Sequence, residues 1–128
     1  MTRGEFDEID PAERAHSMLK TLVVADEDEA TVSTILRHYD AALDGKISQE
    51  NKYADMDKRR EACTDVFDYG TDYFHSEITS GSEQYAFFSV PYDKAWNATV
   101  NGESAEILNI NGLMAVKVNA GKNCIRFH

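Results

Sequence analysis

Three features of the sequence predict an α+β fold, with N-terminal helices packed on a C-terminal antiparallel β-sandwich or curled β-meander. Apolar residues recur at helical spacing through the first half. Two Asn-Gly pairs, Asn101-Gly102 and Asn111-Gly112, separate alternating apolar runs in the last third. Helices come first and strands after, which argues against repeated βαβ units. The chain of 128 residues reads as a single domain over residues 1–128. Its helical part spans 1–68 with about three helices, and its β part spans 72–128.

Asp10-Pro11 followed by Ala12-Glu13 marks the first helix start: a capping carboxylate, proline at the first helical position, then an acidic turn. This helix is expected to reach about Leu22, with Ala15, Met18, Leu19 and Leu22 on its apolar side. A second is expected over Ala30 to Leu43, ending at Gly45, with Val32, Ile35, Leu36 and Tyr39 as its stripe. A third, Gln49 to Phe67, carries Tyr53, Met56, Arg60, Cys63, Val66 and Phe67 at spacings of three and four and is expected to cover one face of the sheet.

Strands are expected at Tyr73 to Thr79, Tyr85 to Val90 and Cys124 to His128, in addition to those flanking the Asn-Gly pairs. Each Asn-Gly pair suits the two positive-φ positions of a type I′ turn. Counting outward, Val100 lies opposite Glu103, Ala98 opposite Ala105 and Trp96 opposite Ile107. Across the second turn, Asn109 meets Met114, Ile107 meets Val116 and Ala105 meets Val118. Period-two alternation then places Trp96, Ala98, Val100, Ala105, Ile107, Met114, Val116 and Val118 on one core face. Glu106 is set across from Lys117 on the other face, where Leu108, Ile110, Leu113 and Ala115 predict partial cover by another layer.

The formal net charge of −10 argues against nucleic-acid binding and against adhesion to an anionic membrane surface, both of which need clustered cations. Its simplest use is solubility. No apolar run is long enough to span a membrane, and the N-terminus lacks a secretory signal pattern. The chain stops at Cys-Ile-Arg-Phe-His inside an alternating strand, which suggests that it is a piece of a longer protein. Cys63 and Cys124 form no zinc or disulfide pattern and read as two free thiols, with a helix-to-sheet bridge as the alternative.

The stretch Asp40 to Asn51 resembles an EF-hand loop at Asp40, Asp44, Gly45 and Ile47. Ala42 and Asn51 stand where two ligands are needed, so it reads instead as a helix end at Gly45 followed by an N-cap at Ser48. His16, His38, His75 and His128 are scattered and read as surface or edge histidines, and no metal or other cofactor is implied. No phosphate loop, nucleophile elbow or HExxH appears, and no catalytic residue is assigned. Asn97-Ala98-Thr99 matches a glycosylation sequon but is placed inside a strand. Tyr92, Asp93 and Lys94 form a turn that combines a ring with short polar groups, the chemistry of a sugar contact. Trp96 beside them falls on the core face, so those three residues are the candidate surface contacts.

The segments Phe87 to Trp96, Val100-Asn101-Gly102, Gly112 to Val118, Ala120 to Asn123 and Ile125-Arg126-Phe127 closely resemble the C-terminal extracytoplasmic region of YfhO-like bacterial membrane proteins. The likeness covers roughly residues 53 to 128, extends through Arg59 to Cys63, and is looser through Phe6 to Val24. Ala95 stands where the family usually has Gly, which tightens that turn.

The resemblance implies a polytopic, GT-C-type glycosyltransferase-like protein that decorates teichoic acid with sugars from a polyprenyl-phosphate carrier. Its catalytic carboxylate is expected in loops near the membrane-spanning helices, outside this chain. The chain by itself is therefore expected to have no transferase activity, and a final membrane helix is expected just after His128. Its partners would be the membrane-spanning part of its own parent chain and a cell-envelope glycan, on the extracytoplasmic face of the cell membrane. The acidic charge favours bracing over direct grip on a polyphosphate chain. A carbohydrate-binding β-sandwich module and a purely structural interaction domain are the two other readings.

Overall fold

The computed structural model describes residues 1–128, which form two compact units, Met1–Ala62 and Cys63–His128. No helix in either unit is long and apolar enough to cross a membrane.

The first unit holds five short helices: α1 (Arg3–Glu8), α2 (Pro11–Ser17), α3 (Glu29–Val32), α4 (Ala41–Asp44) and α5 (Lys52–Glu61), with 3₁₀ turns at Asp26–Asp28 and Gln49–Asn51. Helix α1 was not expected, although its capping box is legible: Thr2 accepts from the Glu5 amide while the Glu5 carboxylate accepts from the Thr2 amide at 2.8 Å. Helix α2 begins as expected, with Asp10 accepting from Ala12 N at 2.9 Å, but it ends at Ser17. Its buried residues are His16 and Ser17, whereas Ala15 and Met18 are exposed.

The expected second helix is not continuous. Helix α3 stops at Val32, and the chain is irregular until Asp40 caps α4 through Ala42 N at 2.8 Å. Thr31, Ser33 and Thr34 crowd this break, and the Ser33 and Thr34 hydroxyls take the carbonyls of Ala30 and Thr31. Val32, Ile35, Leu36 and Tyr39 are half-buried nonetheless. Gly45 ends α4 at φ 77°, as expected, but Ser48 makes no side-chain cap. Helix α5 is shorter than expected. Val66 and Phe67 belong to a strand, and Tyr53 and Met56 are exposed; the one residue that α5 buries is Asp55.

The second unit contains β1 (Val66–Tyr69), β2 (Phe74–Ser80), β3 (Gln84–Pro91), β4 (Ala98–Val100), β5 (Glu103–Ala105), β6 (Leu108–Ile110), β7 (Leu113–Val118) and β8 (Gly121–Phe127). They form two antiparallel sheets, ordered β1-β2-β8-β4-β5 and β3-β7-β6. Both Asn-Gly pairs have the expected I′ signature, with φ 55° and 86° at Asn101-Gly102 and 53° and 80° at Asn111-Gly112.

The nearest pairs follow the count: Val100 with Glu103, Ala98 with Ala105, and Asn109 with Met114. Beyond them the count fails. The strand expected from Glu103 to Ile110 breaks at Glu106-Ile107, and its two halves enter different sheets. Trp96 with Ile107, Ile107 with Val116, and Ala105 with Val118 are therefore not partners. Ile107 and Leu108 are consecutive apolar residues, which a regular strand would send to opposite faces. At the crossing both are half-buried.

The core face is nevertheless as expected. Ala98, Val100, Met114, Val116 and Val118 join Phe74, Ile78, Ala86, Phe88, Ile125 and Phe127 in one buried cluster, with Trp96, Ala105 and Ile107 packed on its rim. Phe74 and Phe127 stack at 4.2 Å between ring centroids, and Phe88 meets Phe127 edge-on at 5.1 Å. On the other face of the three-stranded sheet Ile110 and Ala115 are buried and Leu108 and Leu113 half-buried. Lys117 pairs with Glu83 at 2.7 Å rather than with Glu106, because β3, not β5, lies beside it.

Candidate functional site

The turn that the sequence put forward is largely occupied with its own folding. Tyr92 is half-buried against the core cluster, and its amide donates to Gly112 O at 2.8 Å. Asp93 accepts from Ala95 N through its side chain at 2.8 Å and from Trp96 N through its carbonyl at 3.2 Å. Asp93 and Lys94 are exposed, but the ring that would stack on a ligand faces the protein. Trp96 packs edge-on to Phe74 at 5.5 Å and to Phe127 at 6.4 Å. Asn97 lies in the loop before β4 rather than inside a strand.

A cleft of about 390 Å³ lies where the chain leaves β5 for β6. Tyr85 and Lys117, paired across β3 and β7, form one wall. Glu103, Ser104 and Glu106 form the other, with Asn101 and Asn119 at the end. The wall residues have distinct jobs. Asn101 is committed: its Oδ1 accepts from Cys124 N at 2.8 Å and its Nδ2 donates to Asn123 Oδ1 at 3.3 Å. Glu83 beside Lys117 raises the lysine above the usual ammonium range, so it stays charged at neutral pH. Glu103, Ser104 and Glu106 are exposed and Tyr85 is half-buried. A ring flank with carboxylate and hydroxyl acceptors on one side and an ammonium donor on the other suits a polyhydroxylated ligand.

The helical unit contains a buried charged cluster beside a smaller cleft of about 170 Å³ that Lys20, Asp44 and Asp55 line. Asp55 receives Lys20 Nζ at 2.7 Å on one oxygen and lies 2.9 Å from His16 Nε2 on the other. Lys20 also donates to Asp44 O at 2.8 Å. The lysine hydrogen bond, with help from His16 and against the cost of burial, holds the Asp55 carboxyl below its usual range. His16 is thus a core histidine, not a surface one. Its Nδ1 is buried with no hydrogen-bond partner. The cluster ties α2 and the turn after it to α5. Asp44, the EF-hand-like residue, is bound through its side chain to Arg37 at 2.5 and 3.0 Å. No three His, Cys, Asp or Glu residues are grouped to hold a metal ion.

The cleft was missed because its two walls are joined only by the strand crossing, which no local pattern marks. The His16–Asp55 link was hidden for a similar reason: the partners are 39 positions apart.

A family model described as the bacterial membrane protein YfhO matches residues 51–128, which takes in α5 and the whole β unit. No curated protein and no solved structure matches the chain.

Proposed function

Because this chain belongs to the YfhO family of bacterial membrane proteins, we propose that it is the extracytoplasmic accessory domain of a membrane-bound, glycosyltransferase-like protein. In this reading the chemistry of sugar transfer belongs to the membrane-embedded part of the parent protein, and the domain described here is non-catalytic on its own. Its role is to bring a cell-envelope polymer, teichoic acid in the family reading, close to that part.

The cleft beside Tyr85 and Lys117 carries this proposal, since it offers a partly buried ring together with exposed carboxylate and hydroxyl groups and the Lys117 ammonium, which Glu83 holds in place at 2.7 Å. The excess of acid restricts what it would hold. Bare phosphates are repelled by Glu103 and Glu106, so the contact falls on the sugar residues of the polymer.

Titrating the ¹⁵N-labelled chain with sugar-bearing and sugar-free polymer fragments tests the idea. Shifts at Tyr85, Ser104 and Lys117 with the sugar-bearing fragment alone are the expected result. Shifts confined to Tyr92, Asp93 and Lys94 would move the contact to the turn. No shifts with either fragment would leave a domain that only braces its membrane partner.

A further inference from the structure

The outward face of the five-stranded sheet brings a thiol and an imidazole together across β2 and β8. Their register sets Glu77 opposite Cys124 and His75 opposite Arg126, which places His75 diagonal to Cys124 on one face. His75 Nε2 lies 3.4 Å from Cys124 Sγ. In the tautomer protonated at Nδ1, Nε2 accepts the S–H.

The surroundings add charge. Lys122 and Arg126 stand two residues to either side of Cys124 on the same face of β8. Glu77, the one carboxylate directly opposite, is bound by Lys122 at 2.8 Å and has its other oxygen 3.8 Å from His75 Nε2. From the turn after β4, the Asn101 side chain accepts from the Cys124 amide at 2.8 Å. The thiol is half-buried, not sealed.

A cysteine placed only to fill space has no use for this company. A sulfur 3.4 Å from an imidazole nitrogen and open to solvent on one side has a base within reach and a path for a second sulfur to approach. We propose that Cys124 is a thiol–disulfide exchange site, with His75 as its base and a low-molecular-weight disulfide as its co-substrate. Sγ attacks one sulfur of the disulfide RSSR, the Cys124–S–S–R bond forms and the original S–S bond breaks, its electron pair leaving on RS⁻. The thiol proton passes to His75 Nε2 and from there to the departing thiolate. The cysteine sulfur is oxidised, the departing sulfur is reduced, and no other redox partner is required. This inference is independent of the glycan cleft.

The test uses the full chain with Cys63→Ser, so that Cys124 is the sole thiol. Its second-order rate is measured with an aromatic disulfide and with oxidised glutathione, natively and in denaturant. Cys124 is expected to react at least about tenfold faster in the folded chain than in the unfolded one, despite being half-buried. His75→Gln is expected to remove about tenfold of the native rate while leaving the denatured rate unchanged. A native rate at or below the denatured rate overturns the proposal. So does a native advantage that survives His75→Gln. If His75→Gln does not fold, the native-to-denatured comparison on the Cys63→Ser chain decides by itself.

Discussion

Ala105 and Leu108 are three positions apart, yet Ala105 pairs with Ala98 in the five-stranded sheet and Leu108 with Ala115 in the three-stranded one. This crossing opens the cleft. It turns two hairpins that would have formed a flat meander into facing layers, and leaves Tyr85 and Lys117 beside Glu103 and Glu106.

Tyr85 lines the cleft, whereas Tyr92 packs on the core rim. Tyr85→Ala is therefore expected to abolish the sugar-dependent NMR shifts with little loss of stability. Tyr92→Ala is expected to cost about 2 kcal/mol of stability and to leave binding intact. The opposite pattern, read from the titration and a urea melt, would return the contact to the turn.

The Asn-Gly turns hold the register, and nothing lies within 4 Å of a β-carbon built on Gly102 or Gly112. Gly102→Ala and Gly112→Ala should each cost about 1 kcal/mol, purely from forcing an L-residue to positive φ. The measurement is the urea midpoint at unchanged m-value.

Asn123 is wholly buried and fully used. Its Nδ2 donates to Asn119 O at 2.8 Å and Gly121 O at 2.9 Å, and its Oδ1 accepts from Asn119 N at 3.1 Å and Asn101 Nδ2 at 3.3 Å. Asn123→Leu conserves volume but strands these backbone groups, so a loss of about 3 kcal/mol is expected in a urea melt. A neutral result would mean that water replaces the side chain.

The Asp55 cluster gives the helical unit a pH dependence of known sign. A carboxyl whose folded pKa lies below its unfolded value adds stability above the unfolded value and loses it as pH falls through the folded one. Helical circular dichroism should therefore be steady from neutral pH down to about pH 4 and fall below it. Lys20→Met leaves a buried carboxylate without its strongest partner and should cost about 3 kcal/mol at pH 7. It should also move the acid transition to higher pH.

The turns, the alternation and the core face were legible because each depends on a few neighbouring residues. Asn-Gly demands positive φ wherever it stands, and period two then assigns Ala98, Val100, Met114, Val116 and Val118 to one side. The helices were legible at their starts, where a cap is a local hydrogen bond, but not at their ends, where Ser33 and Thr34 compete for the backbone. The sequence by itself determined the α+β class, the turn geometry and the inward face. Tertiary structure alone decided which sheet each half of the broken strand joins, that Asp55 is buried between His16 and Lys20, and that His75 meets Cys124. The reason is physical: turn and pleat are fixed by local torsions, whereas strand partners and buried charge pairs are chosen by distant segments competing for the same hydrogen bonds and the same space.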